Sequence, residues 1–172
     1  MEPHDVLADA FTRIREEVHA ALDGLTGDEL AHRLDDRANS VAWLVWHLTR
    51  VQDDHVAGVA GREQAWTADG WADRFGLPFE VSATGYRHSP AEVAAVRAPG
   101  ELLAGYLDAV TEQTLRYLTT VDAADLDRVV DENWDPPVTL AVRLVSVVSD
   151  DLQHVGQAAF LRGLLVRART TT

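Results

Sequence analysis

Residues 147–163 read VVSDDLQHVGQAAFLRG, a mostly apolar segment that nevertheless contains two aspartates and a histidine. Helical spacing places Asp150 and His154 one turn apart on the same face. Burying such groups without partners is costly, so either this face meets water or something binds the two side chains. The rest of the chain helps to choose between these alternatives.

Four segments show the apolar spacing of amphipathic helices. In the second segment, Asn39 or Ser40 is the expected N-cap, and Gly58 or Gly61 the expected end. Prolines 136–137 exclude an earlier start for the fourth. Strand signals are few. The four predicted helices span approximately residues 4–25, 39–61, 100–121 and 140–167.

The connection between the second and third predicted helices covers residues 61–99 and is the longest in the chain. A structureless loop of this length is uncommon in a compact domain. Its aromatic residues indicate that it packs onto the fold around short helices; they are Trp66, Trp71, Phe75, Phe79 and Tyr86. We predict an all-α four-helix bundle with a long crossover between helices two and three, as a single domain over residues 1–172.

Composition narrows the function. The chain has 28 acidic and 15 basic residues, all of the latter Arg, and a formal net charge of −13, which disfavours nucleic acid and anionic membranes as partners. Because there is no Cys, any metal must be held by His, Asp or Glu. Neither a secretory leader nor a membrane-spanning run is evident, so we expect a cytoplasmic protein.

His47 lies within the apolar segment WLVWHL of the second predicted helix, where its ring is expected to face inward. Bundles build metal sites from side chains on facing helices, and three protein ligands leave one coordination position open. His47, Asp150 and His154 therefore form a candidate triad. Hydrogen-bonded core residues without a metal are the competing interpretation.

Other polar residues have open assignments. Asp151 replaces Asp150 as ligand if the helix phase differs, and otherwise turns outward or orients a ligating histidine. Asp54 lies nearly in line with His47, and it shares with Asp151 the role of candidate catalytic acid or base. The remaining histidines are expected at the surface; they are His4, His19, His32, His55 and His88.

Four residues are candidates for contacts with the substrate. Arg143 and Arg50 are expected to bind a carboxylate or sugar hydroxyls, with Arg162 as a further candidate. Gln157, one turn beyond His154, is expected to bind substrate or to satisfy a neighbouring backbone group. For each arginine, a surface ion pair with one of the many acids is the alternative.

The segments NSVAWLVWHLTRVQDDH (39–55) and PPVTLAVRLVSVVSDDLQHVGQAAFLRGLL (136–165) resemble the DinB-like superfamily of metal-binding four-helix bundles. The resemblance is strongest to the actinobacterial branch that contains mycothiol-dependent maleylpyruvate isomerase and the mycothiol S-transferases. It implies His47, Asp150 and His154 as the metal ligands. Many members of the superfamily have histidine at the middle position and the isomerase branch has Glu, so Asp150 is a departure.

The resemblance implies a metal-dependent thiol S-transferase that activates a low-molecular-weight thiol, mycothiol, for attack on a small electrophile. Zinc is the expected metal, and nickel, iron and manganese are alternatives. Two other functions remain open: a hydrolase with metal-bound water as nucleophile, and a non-enzymatic metal-binding bundle. Helical bundles of this size often pair, so a homodimer is one expected assembly.

Overall fold

The computed structural model describes residues 2–169. Its helices are α1 (Pro3–Leu22), α2 (Gly27–Leu30), α3 (Val41–Ala60), α4 (Ala65–Ala68), α5 (Trp71–Phe75), α6 (Pro90–Ala95), α7 (Gly100–Leu118) and α8 (Leu140–Arg169). Two short strands, β1 (Val129–Asp131) and β2 (Val138–Thr139), pair antiparallel. Within residues 2–169, no helix combines the length and apolar character needed to cross a membrane.

The four long helices, α1, α3, α7 and α8, form the bundle, which confirms the predicted all-α class. Both α1 and α3 pack mainly against α7 and α8, so α1 and α3 lie diagonally opposite each other. Their apolar stripes meet in one hydrophobic core. This arrangement places α3 beside α8, and therefore brings the face of His47 against the face of Asp150 and His154.

Local sequence signals account for the ends of the second long helix. Ser40 caps α3 by accepting a hydrogen bond from the backbone N–H of Trp43 at 3.1 Å. Gly61 ends it in the left-handed conformation, at φ +65°. Both ends fall at predicted residues. By contrast, α1 ends at Leu22 rather than near Leu25, since Thr26 caps the short helix α2.

The crossover between α3 and α7 folds onto the bundle around α4, α5 and α6, as predicted. Trp66 and Phe75 are buried, and both rings contact the ring of Tyr106 on α7. Tyr86 differs from the expectation, because its side chain points into solvent and is 75% exposed.

The connection between α7 and α8 contains the β1–β2 hairpin, which the sequence analysis did not predict. The backbone N–H of Leu140 donates to the carbonyl of Arg128 and joins the hairpin to the start of α8. Trp134 lies between the two strands with 66% of its surface exposed. The hairpin therefore adds an aromatic wall beside the N-terminal half of α8.

A buried polar network fixes the crossover to α3. Asp53 accepts hydrogen bonds from the backbone N–H groups of Ala65 (3.0 Å) and Trp66 (2.8 Å) and from the hydroxyl of Tyr106 (2.9 Å). Arg50, also fully buried, donates to the Ala83 carbonyl at 3.1 Å. The network therefore holds both ends of the first half of the crossover.

We expect Asp53→Ala to lower the free energy of unfolding by about 3–5 kcal/mol, because Asp53 Oδ2 lies 3.9 Å from Arg50 Nη1 and its loss leaves Arg50 as an uncompensated buried charge. Asp28→Ala is the control, since the Asp28 side chain is 99% exposed and lies outside the network, and it should cost less than about 1 kcal/mol. Urea unfolding of both variants measures the difference. Equal losses would contradict a structural role for the network.

Candidate metal centre

His47 projects from α3 into the bundle and is only 8% exposed. Its Nδ1 lies 2.5 Å from the carbonyl oxygen of Thr84 in the crossover. A carbonyl can only accept, so Nδ1 carries the proton and donates it, which leaves the lone pair on Nε2. The ring also stacks on Trp43, with centroids 4.6 Å apart. His47 is thus held in the tautomer and orientation of a ligand that binds through Nε2.

Asp150 and His154 face His47 from α8, one helical turn apart. Asp150 Oδ1 lies 3.6 Å from His154 Nε2. The other ring nitrogen, His154 Nδ1, lies 3.4 Å from Gln157 Oε1. The amide oxygen is an acceptor, which favours the proton on Nδ1 and the lone pair on Nε2. Both histidines therefore keep the Nε2 lone pair available for a ligand.

One potential ligand atom from each of these three residues lies within 4.8 Å of the others. Ligand atoms of a tetrahedral site with bonds of about 2.1 Å lie about 3.4 Å apart, so small side-chain rotations suffice to close the cluster. Within residues 2–169, Asp150 Oδ2 is buried without a hydrogen-bond partner. Two imidazoles and an unsatisfied carboxylate oxygen suit a divalent cation such as zinc.

The electrostatics of the cluster also suit a cation. Burial lowers the pKa of His47, so this ring is neutral at pH 7, as a ligand must be. Proximity to Asp150 raises the pKa of His154. Burial acts to raise the pKa of Asp150, but His154, His47 and His55 together outweigh it and the net shift is downward. Without a metal, the carboxylate therefore favours a proton on the neighbouring imidazole.

Asp151 does not turn outward, contrary to one expectation. Its side chain is fully buried, and neither carboxylate oxygen has a hydrogen-bond partner within residues 2–169. Burial, reinforced by the charge of Asp150, raises its pKa well above the ordinary value. The helix phase turns Asp150 towards His47 and Asp151 into the core. Asp151 is therefore a neutral core residue with no route to substrate, which argues against a catalytic role.

Asp54 and His55 differ in position from the sequence prediction, which placed Asp54 beside the cluster and His55 at the surface. Asp54 is bound by the side-chain amide of Gln64 at 2.7 Å and lines a cavity of about 430 Å³ away from the cluster. His55, expected at the surface, lines both that cavity and a second one of about 380 Å³ that reaches Asp150. Of the two, His55 is the one beside the cluster.

The candidate arginines differ in position. Arg143 borders both cavities and donates to Asp131 Oδ2 at 2.9 Å. Arg50 is fully buried in the crossover network, which disfavours substrate binding. Its partner Ala83 precedes Thr84, so Arg50 instead helps to position the carbonyl that orients His47. Arg162 donates to the Asp23 carbonyl, and its ion pair with the Asp23 carboxylate spans 3.9 Å.

Gln157 and His88 also have structural partners. Gln157 contacts His154 and lines a concave surface of about 560 Å³. His88, expected at the surface, accepts a hydrogen bond from Trp43 Nε1 at 3.2 Å and stacks on Trp46. His88 therefore supports the aromatic residues around His47.

Four long helices around an inward-facing His-His-Asp cluster define a bundle of the type that builds metal sites from facing helices. A sequence model of the Mycothiol-S-transferase family matches residues 6–166, so the chain belongs to this DinB-like family. The fold is similar to the crystal structure of a conserved protein from Enterococcus faecalis, with a TM-score of 0.90 and 32% identity over 96% of this chain and 98% of that chain. No curated protein matches the sequence.

Gly85 provides a test of the support for His47. Its φ is +96°, and a Cβ there would lie 2.7 Å from His47 Nδ1. We expect Gly85→Ala to displace the imidazole and to weaken zinc binding about 10–100-fold, as losses around metal ligands typically do. Gly76→Ala is the matched control, because Gly76 also has a positive φ but lies far from the cluster, with Asp73 as its near neighbour. Equal zinc affinity in both variants would contradict this role.

Asp151 yields a prediction about pH. Because its pKa is raised in the folded state, the folded protein binds this proton more tightly than the unfolded chain. The free energy of unfolding therefore falls as pH rises above the ordinary aspartate pKa towards the folded-state value. Asp151→Asn removes this loss, so its melting temperature should exceed that of the wild type by more at about pH 8 than at about pH 5, by roughly 2–4 °C for each kcal/mol.

Asp28→Asn is the control for this comparison, because the Asp28 side chain is 99% exposed. Both variants are compared with the wild type at equal metal content. A melting-temperature difference for Asp151→Asn that is independent of pH would contradict a protonated Asp151.

Proposed function

We propose that this protein is a metal-dependent thiol S-transferase that uses a low-molecular-weight thiol, mycothiol, as co-substrate. Membership of the Mycothiol-S-transferase family supports this proposal. The observation that carries it is the convergence of His47, Asp150 and His154 in a chain without cysteine. We assign these three residues as the ligands of one divalent cation, with zinc as the metal that suits their donor atoms.

The residues around the cluster are suited to the binding of a thiol at a metal ion. Thr84 and Gln157 orient the two imidazoles, and Asp150 supplies one negative charge. A divalent cation held by these residues would lower the pKa of an incoming thiol and stabilise it as a thiolate. The buried aromatic residues Trp43 and Trp46 limit water beside His47. Since the chain has no Cys, it contributes no thiol of its own that would compete with the co-substrate.

The surroundings of the cluster favour a reaction with two substrates. The cavity of about 380 Å³ reaches the cluster through Asp150. A concave surface of about 560 Å³ is lined by Gln157, whose Oε1 lies 3.4 Å from His154 Nδ1, and by the amide groups of Asn39 and Gln153. A transferase needs places for both thiol and electrophile, and two concave regions near the cluster support such a reaction.

Hydrolysis is the alternative reaction, with water in place of the thiol, and it needs a general base beside the cluster. Asp54 and Asp151 were the sequence candidates for this base. Asp54 is held by Gln64 and lines the more distant cavity, and Asp151 is enclosed in the core. Their positions favour thiol transfer over hydrolysis. A metal-binding bundle without activity would hold zinc and bind neither substrate.

The ligand assignment predicts the metal content of variants. Wild-type protein should hold about one equivalent of zinc, whereas His47→Ala and His154→Ala should lose nearly all of it, because a site with one ligand missing binds far more weakly. His19→Ala, which removes an exposed histidine paired with Asp108 on the bundle surface, should retain the metal. Elemental analysis checks this, and full zinc content in the first two variants would contradict the assignment.

Thiol dependence separates transferase from hydrolase. With 1-chloro-2,4-dinitrobenzene, mycothiol should form a thioether as its proton is released and chloride departs. This activity should require both zinc and thiol and should be lost in His154→Ala. Cleavage of ester or amide substrates without added thiol would favour the hydrolase instead, and zinc content without either activity would favour the non-enzymatic bundle.

A further inference from the structure

The cavity beside Asp150 has a defined chemical character. Its volume is about 380 Å³, within the range that accommodates small organic molecules. Val51, Val138 and Val147 form apolar walls, and the exposed indole of Trp134 stands at the hairpin side. The polar lining comes from Asp150, Ser146, Arg143 and His55. The cavity therefore suits a small molecule with an apolar body and a polar group.

Arg143 is the cationic group of this cavity. Its Nη2 donates to Asp131 Oδ2 and its Nη1 contacts His55 Nδ1, each at 2.9 Å. The guanidinium has more N–H donors than these two partners use. Its side chain is 19% exposed, so it is fixed in place while part of it remains accessible.

His55 adds a second donor. Arginine can only donate, so His55 Nδ1 accepts from Arg143 and the ring proton is on Nε2. Burial, and then the charge of Arg143, lowers the pKa of His55 and keeps the ring neutral. Arg143 and His55 thus form a hydrogen-bonded pair of N–H donors in the lining of the cavity, an arrangement that favours a carboxylate.

The charges around this pair define its selectivity. Asp131 neutralises part of the charge on Arg143, Asp54 Oδ2 lies 3.8 Å from His55 Nδ1, and Asp150 faces the same cavity from the cluster. In a chain with net charge −13, a carboxylate ligand has few favourable positions. The arginine held in this cavity provides one next to the proposed reaction centre.

We propose that the cavity binds the electrophilic substrate, and that this substrate carries a carboxylate held by Arg143 and His55. This inference rests on the proposed transferase function. It names the substrate class as small aromatic or unsaturated acids, with the apolar body between the valines and Trp134. Asp131 is a positioning residue, which holds Arg143 at the cost of weakening its attraction for the ligand.

The test is a ¹⁹F NMR titration with 4-fluorobenzoate and its neutral analogue 4-fluorobenzamide. The wild type should bind the acid at least about tenfold more tightly than the amide, since charge-assisted hydrogen bonds are the stronger class. Arg143→Gln should weaken binding of the acid about tenfold or more and leave the amide nearly unchanged. Arg13→Gln, which removes an exposed arginine paired with Asp9 on α1, is the control and should behave as the wild type.

Asp131→Asn distinguishes recognition from structural support. It keeps an oxygen that accepts from Arg143 but removes the neutralising charge, so it should tighten binding of the acid a few-fold. If the ion pair only supported the hairpin, Arg143→Gln and Asp131→Asn would weaken binding together. That result, or equal affinity for acid and amide, or no binding by the wild type, would overturn the proposal.

The titrations are run on zinc-loaded and zinc-free protein. The effect of Arg143→Gln should appear in both states, whereas binding only in the zinc-loaded state would place the carboxylate on the metal and overturn the assignment to Arg143. No thiol is present, so the outcome is independent of turnover. Selective acid binding without any thiol conjugation would leave this subsite standing and reject the transferase function alone.

Discussion

The packing of α3 against α8 is the constraint on which the proposed site depends. It brings the buried His47 towards a partly buried aspartate and histidine one turn apart on the facing helix. Desolvated carboxylates and imidazoles are unfavourable unless something compensates them. The contact between Asp150 and His154 compensates in part, and one carboxylate oxygen stays unsatisfied within the described residues. A bound cation would satisfy the whole cluster.

The crossover contributes to this site although it supplies none of its three potential ligands. Arg50 and Asp53 anchor it from within the core, and this places the Thr84 carbonyl against His47. Gly85 then allows the backbone to approach the imidazole closely. The length of residues 61–99 is therefore explained by two tasks: covering α3 and α7 with aromatic side chains, and fixing the tautomer of one histidine.

Much of the bundle follows from local signals in the sequence. Helical periodicity and the Ser40 cap predict α3, and the spacing of Asp150 and His154 predicts that both reach one point. The β1–β2 hairpin was not predictable in the same way, because its strands are very short and no characteristic turn dipeptide connects them. Its position determines which residues surround the cluster. His55 lies outside the apolar stripe of α3, yet it borders a cavity because the hairpin extends the wall beside it.

The phase of α8 shows the limit of spacing arguments. Asp150 and Asp151 were both candidate ligands, and only the packing against α1 and α3 determines that Asp151 faces the core. Arg50 was likewise expected to bind substrate, but its partners come from the crossover, distant in sequence. Residues whose roles depend on contacts between distant segments were therefore the ones that spacing could not assign.

The most direct test of the account is zinc X-ray absorption spectroscopy with and without mycothiol. Since the chain has no Cys, a zinc–thiolate distance can come only from the added thiol. The account predicts nitrogen and oxygen ligands at about 2.0–2.2 Å alone, and one added sulfur at about 2.3 Å when the thiol is present. An unchanged spectrum on addition of the thiol would contradict the claim that His47, Asp150 and His154 hold a metal that activates it.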